Sequence, residues 1–145
     1  MTRQDASVDA RKKPAVRIDA PDRSQVDPNP KQIDELISAE HKARLVWVLV
    51  EGLDMTELYQ EIKSVEGHAG RPAKDPRILV ALWLYATDEH ISSARELARR
   101  CIDCDPYKWI CGGVHISYHT LANFRVQHPQ WLAQQVVENI AAMRA

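Results

Sequence analysis

Apolar residues recur along this chain at steps of three and four and nowhere alternate with period two over a useful length. That is the pattern of amphipathic helices, not of strands. The clearest stretch opens at Asp75-Pro76, a capping residue followed by proline at the first helical position. Ile78, Leu79, Leu82, Tyr85 and Ala86 then follow helical spacing, and Ala81, Trp83 and Leu84 make the segment apolar nearly all round. A helix of that kind belongs at the centre of a small bundle. Ser93 with Glu96 fits a capping box, and Ala94, Leu97, Ala98 and Cys101 form its stripe. Asp105-Pro106 repeats the cap-plus-proline signal for a short helix through Tyr107, Trp109 and Ile110, which Gly112-Gly113 ends. Ser117 caps a helix that turns Leu121 and Phe124 inward, and Pro129 starts a last one carrying Leu132, Val136, Ile140 and Met143.

The first half is patterned less sharply. Pro30 can start a helix through Ile33, Leu36 and Ile37. The run from Leu45 to Val50 could be a buried strand by itself, but no Gly or Pro interrupts Lys31 to Glu51, which favours helix up to Gly52. Asp54 can cap a further helix with Leu58 and Ile62 on one face. Residues 1–30 contain four prolines, six Lys/Arg, five Asp and no apolar period, which predicts a disordered leader. The expected fold is all-α: a small bundle of about six or seven short helices over residues 31–145, with a helix-turn-helix-like C-terminal half.

Composition narrows the chemistry. The 145 residues carry 19 Lys+Arg and 20 Asp+Glu, a net charge of -1, so the chain as a whole is no basic nucleic-acid coat. Any DNA surface must be local, because residues 31–66 alone hold four Lys/Arg against eight Asp/Glu. The leader has no apolar core of a secretory signal, and no apolar run reaches the ~20 residues that span a bilayer. A cytoplasmic protein with no membrane contact is expected. Three cysteines do not make a disulfide framework. Cys101, Cys104 and Cys111 with His115 and His119 could supply zinc ligands, but cysteines on apolar stripes are more simply small buried hydrophobes. No metal and no cofactor is expected. The acids fall at helix caps or on exposed faces, and no phosphate-cradling glycine loop or nucleophile elbow is present, so no catalytic residue is assigned.

Two features suit DNA. Gly70-Arg71-Pro72, with Lys74 nearby, can lie in a narrow minor groove, although a rigid extended lead into the helix at Pro76 also explains it. On the Ser117 helix, His119, Asn123, Val126 and Gln127 lie opposite Leu121 and Phe124. His, Asn and Gln suit base edges, Ser117, Tyr118 and Arg125 suit phosphates, and Arg95, Arg99 and Arg100 add positive charge from the helix that starts at Ser93, which Glu96 and Asp103 dilute.

Gly70-Arg71-Pro72-Ala73, Asp75-Pro76-Arg77, the 81–86 run Ala-Leu-Trp-Leu-Tyr-Ala, the 93–99 run Ser-Ala-Arg-Glu-Leu-Ala-Arg, the 107–113 run Tyr-Lys-Trp-Ile-Cys-Gly-Gly and the 118–125 run Tyr-His-Thr-Leu-Ala-Asn-Phe-Arg stand in fixed order. Together they resemble the N-terminal domain of InsH-like DDE-type bacterial insertion-sequence transposases. The resemblance implies a helical domain that helps recognise the element's terminal inverted repeats, ahead of a ribonuclease-H-like domain whose carboxylates have no counterpart in this sequence. The expected function is therefore DNA binding without catalysis, by a stand-alone or truncated domain. The alternatives are an assembly module built on the tryptophans, pairing with itself or a full-length transposase; a repressor of such an enzyme; and a decayed remnant.

Overall fold

The computed structural model describes residues 18–25, 32–64 and 73–144. They form an all-α bundle of seven helices with one 3-10 turn (Ile33–Leu36) and one short strand pair. The helices are α1 (Lys42–Glu51), α2 (Thr56–Ser64), α3 (Pro76–Asp88), α4 (Ala94–Asp103), α5 (Asp105–Cys111), α6 (Tyr118–Gln127) and α7 (Pro129–Arg144).

The centre is α3, as its all-round apolar surface requires: every residue from Ile78 to Ala86 is buried. It packs against α1, α5 and α7. Asp75 caps its start by accepting from the Arg77 amide at 3.0 Å, with Pro76 in the first turn. Its end is a Schellman closure. The Ile91 amide reaches back to the Ala86 carbonyl (2.8 Å) and the His90 amide to that of Thr87 (3.1 Å), with His90 left-handed at φ 64°. Histidine tolerates that conformation better than most residues.

The caps expected at Ser93 and Ser117 form, each serine accepting from the amide three residues on. At α4 only half of the capping box is made, because the Glu96 carboxylate turns to Arg100 instead. The cap of α5 falls on Cys104, with no side-chain bond; Asp105 is already inside the helix. Gly112 ends α5 in the left-handed region at φ 57°.

Two larger differences concern the first half. The described part of the uninterrupted stretch, residues 32–51, is two elements, not one helix. The side chain of Arg44 folds back and donates to the carbonyls of Asp34 (2.7 Å), Ile37 (3.0 Å) and Ser38 (2.7 Å), which satisfies the end of the 3-10 turn. His41 then caps α1 through Nδ1. The second difference is at residues 18–25, which the charge and proline content place in a solvated leader. They lie on the bundle. Ile18–Asp19 pairs in parallel with Ala73–Lys74. Pro21 covers Gly112, where a Cβ would collide with it, and the Asp22 amide donates to the Gly112 carbonyl at 2.6 Å.

Arg23 explains why this segment stays. Its guanidinium lies over Trp47 (4.4 Å) and Trp109 (4.1 Å) and donates to the carbonyls of Trp109 and Ile110 at 2.6 and 2.9 Å. Burial pulls its pKa down to about 10, and it remains charged at neutral pH. Arg44 lies over the Trp109 ring and Arg77 over that of Trp47, so an alternating series Arg44–Trp109–Arg23–Trp47–Arg77 seams α1, α3, α5 and the N-terminal segment together.

Candidate nucleic-acid interface

α4 packs against both α5 and α6, so the three helices form one unit. α6 is fixed from beneath. Leu121 and Phe124 are buried, and the Trp83 indole of α3 donates to the Leu121 carbonyl at 3.2 Å. Arg125 is also on this inner side. It lies over the Trp83 ring at 4.2 Å and donates to the Ser92 carbonyl at 2.7 Å. The outer side carries His119, Asn123, Val126 and Gln127, all exposed.

Next to that outer side, α4 presents Arg95 and Arg99, which are one turn apart and exposed. Arg95 lies over the Tyr118 ring at 4.2 Å and donates to its hydroxyl at 3.2 Å. The His119 ring rests against that of Tyr118, with centroids 4.1 Å apart. Arg99 has no partner among the described residues. Arg100 is held by Glu96 in an i,i+4 ion pair at 3.1 Å, while Asp103, the other acid of α4, is exposed one turn beyond Arg99. What remains is a surface with two cations that form no ion pair among the described residues, an aromatic pair and amide and imidazole side chains. That set can contact phosphates electrostatically and base edges by hydrogen bonding.

The residues singled out from the sequence do not all lie together. Arg95, Tyr118 and His119 touch in series, with Asn123 one turn further along the outer side of α6 and Arg99 one turn further along α4. Ser117 is beside them, but its hydroxyl accepts from the Thr120 amide as the α6 cap. Arg125 faces inward and acts as a tether for α6. Lys74 lies in the strand before α3, paired with Asp19 at 2.9 Å. The thirteen residues of α3, roughly 20 Å of helix, separate it from the Ser92–Arg125 contact. Arg71 lies outside the described residues.

The tryptophans, cysteines and apolar runs noted in the sequence also find their places. Trp47, Trp83 and Trp109 are buried and Trp131 is half-buried, so these rings are spent mainly on the core. Among the described residues no three His, Cys, Asp or Glu side chains are placed to hold a metal ion. A hydrogen bond with Cys111, together with burial, pushes the Cys101 thiol well up. No described helix is long and apolar enough to cross a membrane. The role of Arg23 was not legible in the sequence: its partners lie 86 and 87 positions away, and its neighbours carry no apolar pattern.

Neither the curated proteins nor the solved structures yield a match to this chain. Residues 31–127, more than half of the chain, match the transposase domain described as DUF772, a span that contains α1 to α6 and every residue of the face just described. The chain belongs to the DUF772 transposase-domain family.

Proposed function

We propose that this domain binds duplex DNA through the α4–α6 face, with α6 as the recognition helix of a helix-turn-helix-like unit. The ligand would be the terminal inverted repeats of an insertion sequence of the InsH-like DDE type, and the domain would bind without catalysing transposition by itself. The observation that carries the reading is a juxtaposition. The polar, exposed outer side of α6 begins beside Arg95, with Arg99 one turn further along α4, two cations that form no ion pair among the described residues. Arg95 and Arg99 would set position on the phosphates, and His119 and Asn123 would face base edges; an asparagine can bond an adenine with both its amide groups.

With so few cations, affinity is modest and depends on salt. Two phosphate contacts correspond to a slope of about -2 in log K against log salt. The test is a fluorescence-anisotropy titration of the whole chain with duplexes carrying the inverted repeats and with scrambled duplexes. Tighter binding to the repeats, abolished as a preference by Asn123→Ala, supports the reading. Equal and undetectable binding to both at about 50 mM salt overturns it.

A further inference from the structure

The outer side of α6 contains one residue that phosphate contact and hydrogen bonding leave unused. Val126 is 75% exposed. At about 100° per residue, Val126 stands about 20° from His119 and about 60° from Asn123 around the axis, and nearly opposite Phe124. The helix thus carries an arginine on its inner side and a valine on its outer side, the reverse of what burial alone would select. The inner arginine has its explanation in Trp83 and Ser92. No described element packs over the outer valine.

An isolated surface valine needs no explanation. Its setting gives this one a role. From His119 to Val126 the helix rises about 10 Å, or roughly three base pairs. The flanking cations Arg95 and Arg99 favour a polyanion over an apolar protein partner. In the major groove the one apolar group on a base edge is the C5-methyl of thymine, which small aliphatic side chains contact.

We propose that Val126 contacts a thymine methyl in the major groove and so fixes a T at one position of the bound site, close to the base read by Asn123. This rests on the DNA-binding reading above. The test begins by selecting a randomised duplex pool with the whole chain. The dominant duplex is then resynthesised with deoxyuridine in place of each thymine in turn, which removes the methyl and leaves pairing unchanged. Wild type loses about fivefold in affinity at one thymine, while Val126→Ala binds the thymine and deoxyuridine duplexes equally. Because Val126 is 75% exposed and alanine is the better helix former, the variant does not melt below wild type. If no deoxyuridine position weakens wild type, or if Val126→Ala keeps the same loss, the inference fails while DNA binding stands. If the chain enriches no duplex and binds none at about 50 mM salt, the DNA-binding reading fails and takes this inference with it.

Discussion

Arginine lies beside an aromatic ring both at the seam and on the α4–α6 face, and the two contacts do different things. At the seam, Arg23, Arg44 and Arg77 alternate with Trp109 and Trp47, and each arginine also has a fixed oxygen partner. Arg23 takes backbone carbonyls, Arg44 takes Asp34 at 2.8 Å, and Arg77 takes Asp75 at 2.6 Å. Trp109 adds a hydrogen bond to the same Asp34, at 3.0 Å. On the α4–α6 face, Arg95 touches Tyr118, while Arg99 has no partner among the described residues. Charge at the seam is matched by oxygen partners within the fold, whereas Arg95 and Arg99 on the face form no ion pair among the described residues. Residue type does not separate them; the presence of an acid or a carbonyl in the same contact does. Arg125 shows this within a single helix: it sits in α6, yet its carbonyl and indole partners place it with the seam arginines.

The contrast can be broken first at Asp75, the buried acid at the end of the seam. Asp75→Asn keeps a capping oxygen but removes the charge facing Arg77, and costs about 3 kcal/mol at neutral pH, measured by urea unfolding. Burial alone would raise this carboxyl, but hydrogen bonds from Arg77 and Tyr59 outweigh it and hold the pKa below the ordinary carboxylate range. Its folded value is depressed, so its stabilisation is present above that range and is lost as pH falls through the folded value. The gap between wild type and Asp75→Asn therefore closes on acidification. A gap that stays constant down to acid pH would show that the charge contributes nothing.

Next in size is Arg23→Ala. Losing two charge-assisted hydrogen bonds and two ring contacts lowers stability by about 2 kcal/mol, with urea unfolding again the measurement. It also raises amide exchange at Asp22, Ile33 and Asp34, whose amides bond between the N-terminal segment and the bundle, because that segment loses its anchor. Arg125→Ala should cost about 1 kcal/mol through the Trp83 and Ser92 contacts. At temperatures below its melting point it leaves the salt dependence of DNA binding unchanged, whereas a phosphate contact would reduce the slope. The smallest effect on the fold belongs to Arg99→Ala, which leaves the melting temperature where it is. Its effect is on binding: the slope of log K against log salt falls by about 1. A melting temperature lowered by Arg99→Ala, with binding intact, would move Arg99 to the seam class and undo the comparison.

Much of the fold was legible because its causes are local. The all-round apolar run of α3 could only be central, and the residues from Ile78 to Ala86 are all buried. Ser93 and Ser117 cap where a serine precedes a helical stripe, and Gly112 ends α5 where a left-handed residue is needed. The outer side of α6 was legible for the same reason: once Leu121 and Phe124 point inward, helix geometry alone sends His119, Asn123 and Val126 outward.

What the sequence determined by itself, then, is helix content, the central helix, the caps and the angular order of side chains around each helix, since these follow from neighbours within four positions. Tertiary structure alone decided which charges are free. It split the 31–51 stretch by folding Arg44 back onto three carbonyls. It drew residues 18–25 onto the bundle through Arg23, gave Arg125 its partners Trp83 and the Ser92 carbonyl, and placed Arg95 against Tyr118, 23 positions along the chain. The physical reason is common to all four. A guanidinium on its long stem reaches partners that sequence distance does not reveal, and its partner fixes whether the charge holds the fold together or faces outward.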